Sequence, residues 1–399
     1  MPTRRAYLKG GGALLGGGLL AGCLGGNADS ADTTTSNTTA GTTAGDATNT
    51  ATDSGSYTVS MAPMGEVEFD DVPESIFTRL THLAGMAFAL GRGDDVNAMH
   101  APGYYDALWN QFTPRLDGVS LDWTGLYSSW KPSREKLYEL DSDVHLADPA
   151  SVYALSGWNM DNIEEVRTNI GPWFGNQFSD THGQPPEEWA DRYEYYGLWE
   201  MFERVAGVFQ AEAQYEALAA VRSDLLDTVE SNLPPEDERP AAVMVGASDL
   251  QSIYAYRLDD PGFLTAHTRP LAPKSAFGPD VESTTTVDME ALAEADPDVI
   301  FALGGMHPST DIEAIRNGFR DSEVGQKLGA VQNDRIYAQG ARYQGPILNL
   351  FQIEMTAKQL YPEQFGEWPT YTEGPYPEIP EDEQLFDRQR VADAINGDI

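Results

Sequence analysis

The residues able to do chemistry are few and scattered. Six histidines stand singly and the chain has one cysteine, Cys23. There is no Gly-x-Ser-x-Gly elbow, no His-Glu-x-x-His and no cysteine pair, so nothing points to a hydrolase, a thiolate metal cluster or an internal disulfide. No catalytic group is assigned. What remains suits recognition. Arg257 and Arg342 offer planar, permanently charged forks to carboxylate or catecholate oxygens. Tyr127, Trp130, Trp158, Tyr254 and Tyr343 offer flat apolar faces at low entropic cost. Together they fit a bulky anionic chelate, although Arg257 could instead pair with Asp259 or Asp260. His82 and His307 each follow an expected strand. Facing each other, they could hold a bare metal ion or supply axial ligands to haem or cobalamin.

In open α/β sheets, ligands sit beyond the carboxyl ends of the strands, and these residues fall in loops of that kind. Two stretches, Glu135 to Val144 and Glu290 to Val299, match at an offset of 155 residues with six of ten positions identical. Each reads as a helix end, a tight Asp turn and a buried strand. Unbroken apolar strands suit a parallel sheet covered on both faces. The expected fold class is therefore α/β, with two similar lobes. Phe209 to Asn232 has apolar residues at spacings of mostly three or four and no Gly or Pro, and Pro234-Pro235 stops it. It reads as one long helix bridging the lobes. The domain reading is an N-terminal lobe over 57–208, a bridging helix over 209–232, a C-terminal lobe over 233–366 and an acidic, extended C-terminal extension over 367–399.

The start of the chain is an address. Arg4-Arg5 precedes an apolar run from Gly10 to Gly22 that is too short to cross a bilayer. The pattern resembles a twin-arginine signal, and Leu20-Ala21-Gly22-Cys23 resembles a lipoprotein processing site. Residues 1–23 thus read as a signal, Cys23 as the lipid attachment point and residues 24–56 as a Thr-rich disordered stalk. The globular part is expected at the outer face of the cytoplasmic membrane, held by lipid. With 63 Asp+Glu against 25 Lys+Arg, the formal net charge is −38, which excludes a nucleic-acid partner. Only six of those basic residues are lysine. A lysine-poor, acid-rich surface resembles proteins of salt-loving archaea, where molar salt shortens the Debye length to about 3 Å.

The order and spacing of Leu90 to Val96, Ser133 to Asp148, Val287 to Leu303, Val331 to Tyr337 and Leu350 to Pro362 resemble the solute-binding proteins of ABC importers for ferric siderophores, cobalamin and haem. That resemblance implies a non-enzymatic monomer with no permanent cofactor. It would capture an iron(III) chelate, or alternatively cobalamin, haem or a free metal ion, in a ligand cleft between the two lobes and deliver it to a permease and its ATPase. It further implies that Glu135 and Glu290 dock on permease arginines, and it strengthens Arg342, which lies just before Gly345-Pro346. A departure is Asp141-Ser142-Asp143, where the family usually has a central proline. Extra sequence also surrounds Asp106–Thr124 and Ser179–Tyr196. A surface adhesin or sensor ectodomain is the reading from a different class.

Overall fold

The computed structural model describes residues 55–246, 250 and 252–399. The export signal, Cys23 and nearly all of the 24–56 segment lie outside them. A hairpin comes first, β1 (Tyr57–Met61) against β2 (Gly65–Phe69). Its alternation turns Tyr57, Val59 and Met61 inward.

The first lobe carries β3 (Ile76–Thr78), β4 (Val96–Met99), β5 (Tyr127–Ser128) and β6 (Val144–Leu146), all parallel in the order β5-β4-β3-β6. Helices α1 (Thr81–Ala89), α2 (Pro102–Trp109), α3 (Arg134–Leu140), α4 (Pro149–Tyr153), α5 (Met160–Asn169) and α6 (Glu187–Ala190) surround it. The chain leaves through α7 (Leu198–Val208) and α8 (Glu212–Asn232).

The second lobe is a separate sheet of β7 (Ala241–Gly246), β8 (Ile253–Tyr256), β9 (Lys274–Ser275), β10 (Thr285–Val287), β11 (Val299–Ala302) and β12 (Ile336–Ala338), in the order β10-β8-β7-β11-β12 with β9 beside the start of β7. Here β8 runs antiparallel to β7, so the two sheets are similar but not identical. Helices α9 (Met289–Ala295), α10 (Ile312–Asp321) and α11 (Gly329–Gln332) belong to it, followed by α12 (Pro346–Leu360), α13 (Pro362–Phe365) and α14 (Arg388–Asn396).

The sequence repeat is a structural repeat with a clear purpose. Ser133 caps α3 by accepting from the Lys136 amide, and Asp288 caps α9 by accepting from the Ala291 amide. Both helices end on an aspartate in the left-handed region, Asp141 at φ 46° and Asp296 at φ 39°. Two residues on, the Asp143 carboxylate accepts the amides of Glu74 and Ser75 at the start of β3. The Asp298 carboxylate accepts the amide of Ala241 at the start of β7. Each carboxylate pins its lobe's first strand, and β6 and β11 then pair in parallel with β3 and β7. Every residue of β3, β6 and β11 is buried, as unbroken apolar runs require.

Two expectations need correction. The helix expected over 209–232 begins at Glu212, because α7 ends at Val208 and Gln210 turns at φ 48°. Phe209 and Ala211 are buried in that corner instead of continuing a helix face. In α8 itself, Leu218, Val221, Leu225 and Val229 form the buried stripe, and its 21 residues span about 32 Å.

The C-terminal segment, expected as an extended extension, is packed into the body of the protein. Tyr376 is fully buried against Phe112, Phe351 and Trp368. Arg388 reaches the fully buried Glu354 of α12 at 2.6 Å, with Phe351, Tyr376 and Phe386 around its guanidinium. The segment also touches the first lobe: the Tyr376 amide donates to the Gln111 carbonyl and Asn396 donates to that of Asp117. Arg390 pairs with Asp224 of α8. The acids of this segment face solvent while its aromatics turn inward, so its composition conceals its packing.

Candidate ligand-binding cleft

The cleft forms where α12 of the second lobe meets α1 of the first. Gly85 and Gly345 pack backbone to backbone, so a Cβ at Gly345 would lie 2.7 Å from the Gly85 Cα. Only glycine permits that approach, with Trp109 packed over the contact. The loop between β12 and α12 is thereby held at the lobe boundary and carries Arg342, Tyr343 and Gln344.

A buried polar network fixes the loop from behind. Gln344 Oε1 accepts from Asn349 at 3.0 Å and from Gln352 at 2.9 Å, while Gln344 Nε2 lies 2.7 Å from His267 Nδ1. Gln352 also donates to the Ala341 carbonyl, and Trp199 donates to Asn349 Oδ1. Each bond contributes modestly, but a missing partner would leave a buried polar group uncompensated.

In front of the loop lies a cavity of about 620 Å³. The second lobe lines it with Tyr256, Leu303, Gly304, Arg342 and Tyr343, and the first lobe with Tyr104, Tyr105, Asp180 and Thr181. Tyr104 stacks on His307 across the lobes at 4.0 Å and 6°. On the other side, Tyr343 donates to Asp180 Oδ2 at 2.8 Å. Burial and that carboxylate raise the Tyr343 pKa, so its hydroxyl stays a donor. The cavity volume falls within the range of small-molecule sites.

Arg342 is the distinctive group. Its guanidinium lies 4.6 Å from the centroid of Tyr256, and Nη2 is buried without a hydrogen-bond partner among the described residues. Burial lowers its pKa, yet arginine stays charged at any ordinary pH. A guanidinium held over a tyrosine in the wall of a cavity, with no carboxylate paired to it among the described residues, can receive an oxygen-rich ligand.

The structure disperses the other expected site residues. Tyr254 is exposed and lines a neighbouring cavity of about 710 Å³ that shares Tyr104 and Leu303 with the first. Arg257 is spent on Asp259 and Asp260, each at 3.0 Å, and does not line the cavity. Trp130 is exposed beside Arg79 and His100 and also lies outside the cavity lining. Tyr127 and Trp158 pack against a satellite core on the first lobe, Trp158 donating to the Pro132 carbonyl. Both are partly buried there and neither lines the cavity.

The two histidines do not form a pair able to hold metal. His82 is fully buried beneath Phe263 at 4.5 Å and Tyr343 at 5.8 Å, with neither ring nitrogen hydrogen-bonded. Desolvation pushes its pKa down to about 3. His307 accepts from the Ser309 amide through Nδ1 and is covered by Tyr104. Among the described residues, no group of three or more His, Cys, Asp or Glu could hold a metal ion. Glu135 and Glu290 occupy equivalent exposed places in the first turns of α3 and α9.

Tyr104, Tyr105 and Asp180 were missed by sequence reasoning. The loop rule would have found the two tyrosines had the four-residue β4 been recognised. Asp180 lies in the extra sequence of the first lobe, where no periodicity marks a site.

Two α/β lobes meeting at a cleft with an unpaired cation and an aromatic lining define a solute-binding architecture. The model for the family described as periplasmic binding protein matches residues 129–343, just over half of the chain, and the chain belongs to that family. No curated protein matches it. Among solved structures, a periplasmic binding protein from Veillonella parvula is similar with a TM-score of 0.55 and 14% identity, over 79% of this chain and 94% of that one. The iron uptake ABC transporter substrate-binding protein PiuA from Streptococcus pneumoniae gives 0.52 and 18%, over 76% and 98%. The periplasmic heme binding protein HutB of Vibrio cholerae gives 0.51 and 13%, over 72% and 100%. At these identities the likeness is one of fold.

Proposed function

We propose that the protein is the extracytoplasmic substrate-binding component of an ABC importer and captures a ferric siderophore-type chelate between its lobes. The observation that carries this reading is Arg342, a guanidinium over the ring of Tyr256 with no ion-pair partner among the described residues, in the lining of a cavity shared by both lobes. Aromatic faces from Tyr104, Tyr105 and Tyr343 complete a wall suited to a bulky oxygen-donor complex. Two structural neighbours named for iron uptake and heme binding agree in kind. His82 is sealed, so axial ligation through it has no support. In this reading Cys23 carries the lipid anchor, the acidic surface is a salt adaptation, and Glu135 and Glu290 dock on the permease.

Tryptophan fluorescence and thermal shift in high salt test the cargo. Ferric hydroxamates, ferric catecholates and ferric citrate are set against cobalamin, haem and divalent metals. A ferric chelate is expected to raise the melting temperature; silence from every metal-containing ligand rejects the reading. Docking is tested by uptake. The Glu135→Arg/Glu290→Arg protein should lose most uptake while soluble affinity stays unchanged, and undiminished uptake rejects the docking assignment.

A further inference from the structure

Among the described residues lining the interlobe cavity, two are charged: Arg342 from the second lobe and Asp180 from the first. The rest of the lining is tyrosines, Thr181, Ser283, Thr284 and small or aliphatic residues. The formal charge of the wall is therefore zero, in contrast to the single cation that Arg342 alone would supply.

The Asp180 carboxylate is fixed in place. Oδ1 accepts the Thr181 amide at 2.6 Å and the Thr181 hydroxyl at 3.1 Å, and Oδ2 accepts the Tyr343 hydroxyl at 2.8 Å. Its loop is anchored in turn, because Ser179 Oγ donates to Asn176 and accepts the Tyr196 amide. The loop presses on the second lobe at Gly262, whose φ is 91° and where a Cβ would collide with the carbonyl oxygens of Ser179 and Asp180. A glycine is needed there on both counts. The extra sequence of the first lobe thus delivers one negative charge to the mouth of the only unpaired cation in the cavity wall among the described residues.

We infer that Asp180 is a specificity-determining residue: it sets the charge of the cargo, admitting a neutral or weakly charged oxygen-rich chelate and rejecting a polyanionic one. The inference rests on the chelate-binding reading above and narrows it. A neutral complex gains the Arg342 donor and the tyrosine faces with little electrostatic cost. A trianionic complex meets a carboxylate it cannot displace without breaking three hydrogen bonds. Salt does little to relieve that repulsion, because partly buried charges are screened far less than exposed ones.

The test titrates a neutral ferric trihydroxamate and a trianionic ferric tricatecholate by tryptophan fluorescence, using the wild-type chain, Asp180→Asn and Tyr343→Phe. The amide of Asp180→Asn keeps the shape and an acceptor oxygen but removes the charge. Wild-type protein should prefer the trihydroxamate. Asp180→Asn should bind the tricatecholate tighter by on the order of ten- to a hundredfold, with trihydroxamate affinity within about threefold. Tyr343→Phe removes the interlobe bond yet keeps the carboxylate, so the preference should remain. A wild-type preference for the trianion, or an Asp180→Asn protein that shifts both affinities equally or not at all, overturns the inference while leaving the chelate reading intact. Failure of the wild-type chain to bind either chelate overturns the inference, and the chelate reading falls with it only when ferric citrate is silent as well.

Discussion

Arg342 and Arg388 sit in different regions of the molecule and share one motif, a guanidinium laid on aromatic rings. At the rear seam, Arg388 meets the fully buried carboxylate of Glu354 at 2.6 Å, and that carboxylate also accepts from Tyr376 and the Leu385 amide. In the cleft, Arg342 has no such carboxylate, and Asp180 and Asp260 act on it only from a distance. One region has settled its charge within the fold. The other keeps a guanidinium with no direct ion pair among the described residues, balanced only at a distance by Asp180, as expected of a surface kept ready for a ligand.

The largest effect is expected at the rear seam. Arg388→Met keeps volume but strands the Glu354 carboxylate, and a buried ion left by its partner costs about 3–5 kcal/mol. Denaturant unfolding in high salt should show that loss, and Arg388→Met/Glu354→Gln should recover part of it. A change under about 1 kcal/mol would show the seam to be loosely packed or hydrated.

A smaller effect comes from acid. His82 has its folded pKa pushed down to about 3, below the ordinary value near 6.5. The unfolded chain therefore binds a proton that the folded chain refuses. Stability is full above pH ~6.5 and falls as pH drops toward 3, at about 1.4 kcal/mol per pH unit for this one group. His82→Leu should remove that slope when unfolding free energies are compared between pH 8 and pH 4. An unchanged slope would mean that the lobes already part around His82 in the folded state. His145 and His267, pushed down to about 4 and about 3 by burial, add acid sensitivity that this variant leaves in place.

The sequence shows some of this directly and hides the rest for physical reasons. The repeat ending in Asp143 and Asp298 was readable because a cap, a left-handed aspartate and a strand clamp are local devices with residue-type signatures. Arg342 was singled out only through the family resemblance, which favours residues just before Gly345-Pro346, and the structure places it in the cavity lining. Arg257 was ambiguous because Asp259 and Asp260 lie two and three residues away, and the structure settles it as their partner. Tyr127 and Trp158 were misplaced because an aromatic in a loop carries no mark of whether it faces a cleft or a satellite core. Asp180 owes its position to a contact with Gly262, 82 residues away in the chain. The C-terminal segment concealed its packing because Tyr376, Phe386 and Val391 follow no single period.

The smallest expected effect is the most telling. The unfolding free energy of ligand-free Arg342→Met, measured at neutral pH in high salt beside Arg388→Met, asks directly whether the cleft arginine belongs to the fold. Stability should equal or exceed that of the wild-type chain, because a buried charge without a direct ion pair is removed. A loss of about 3 kcal/mol or more, matching the rear seam, would contradict it and make Arg342 a structural residue.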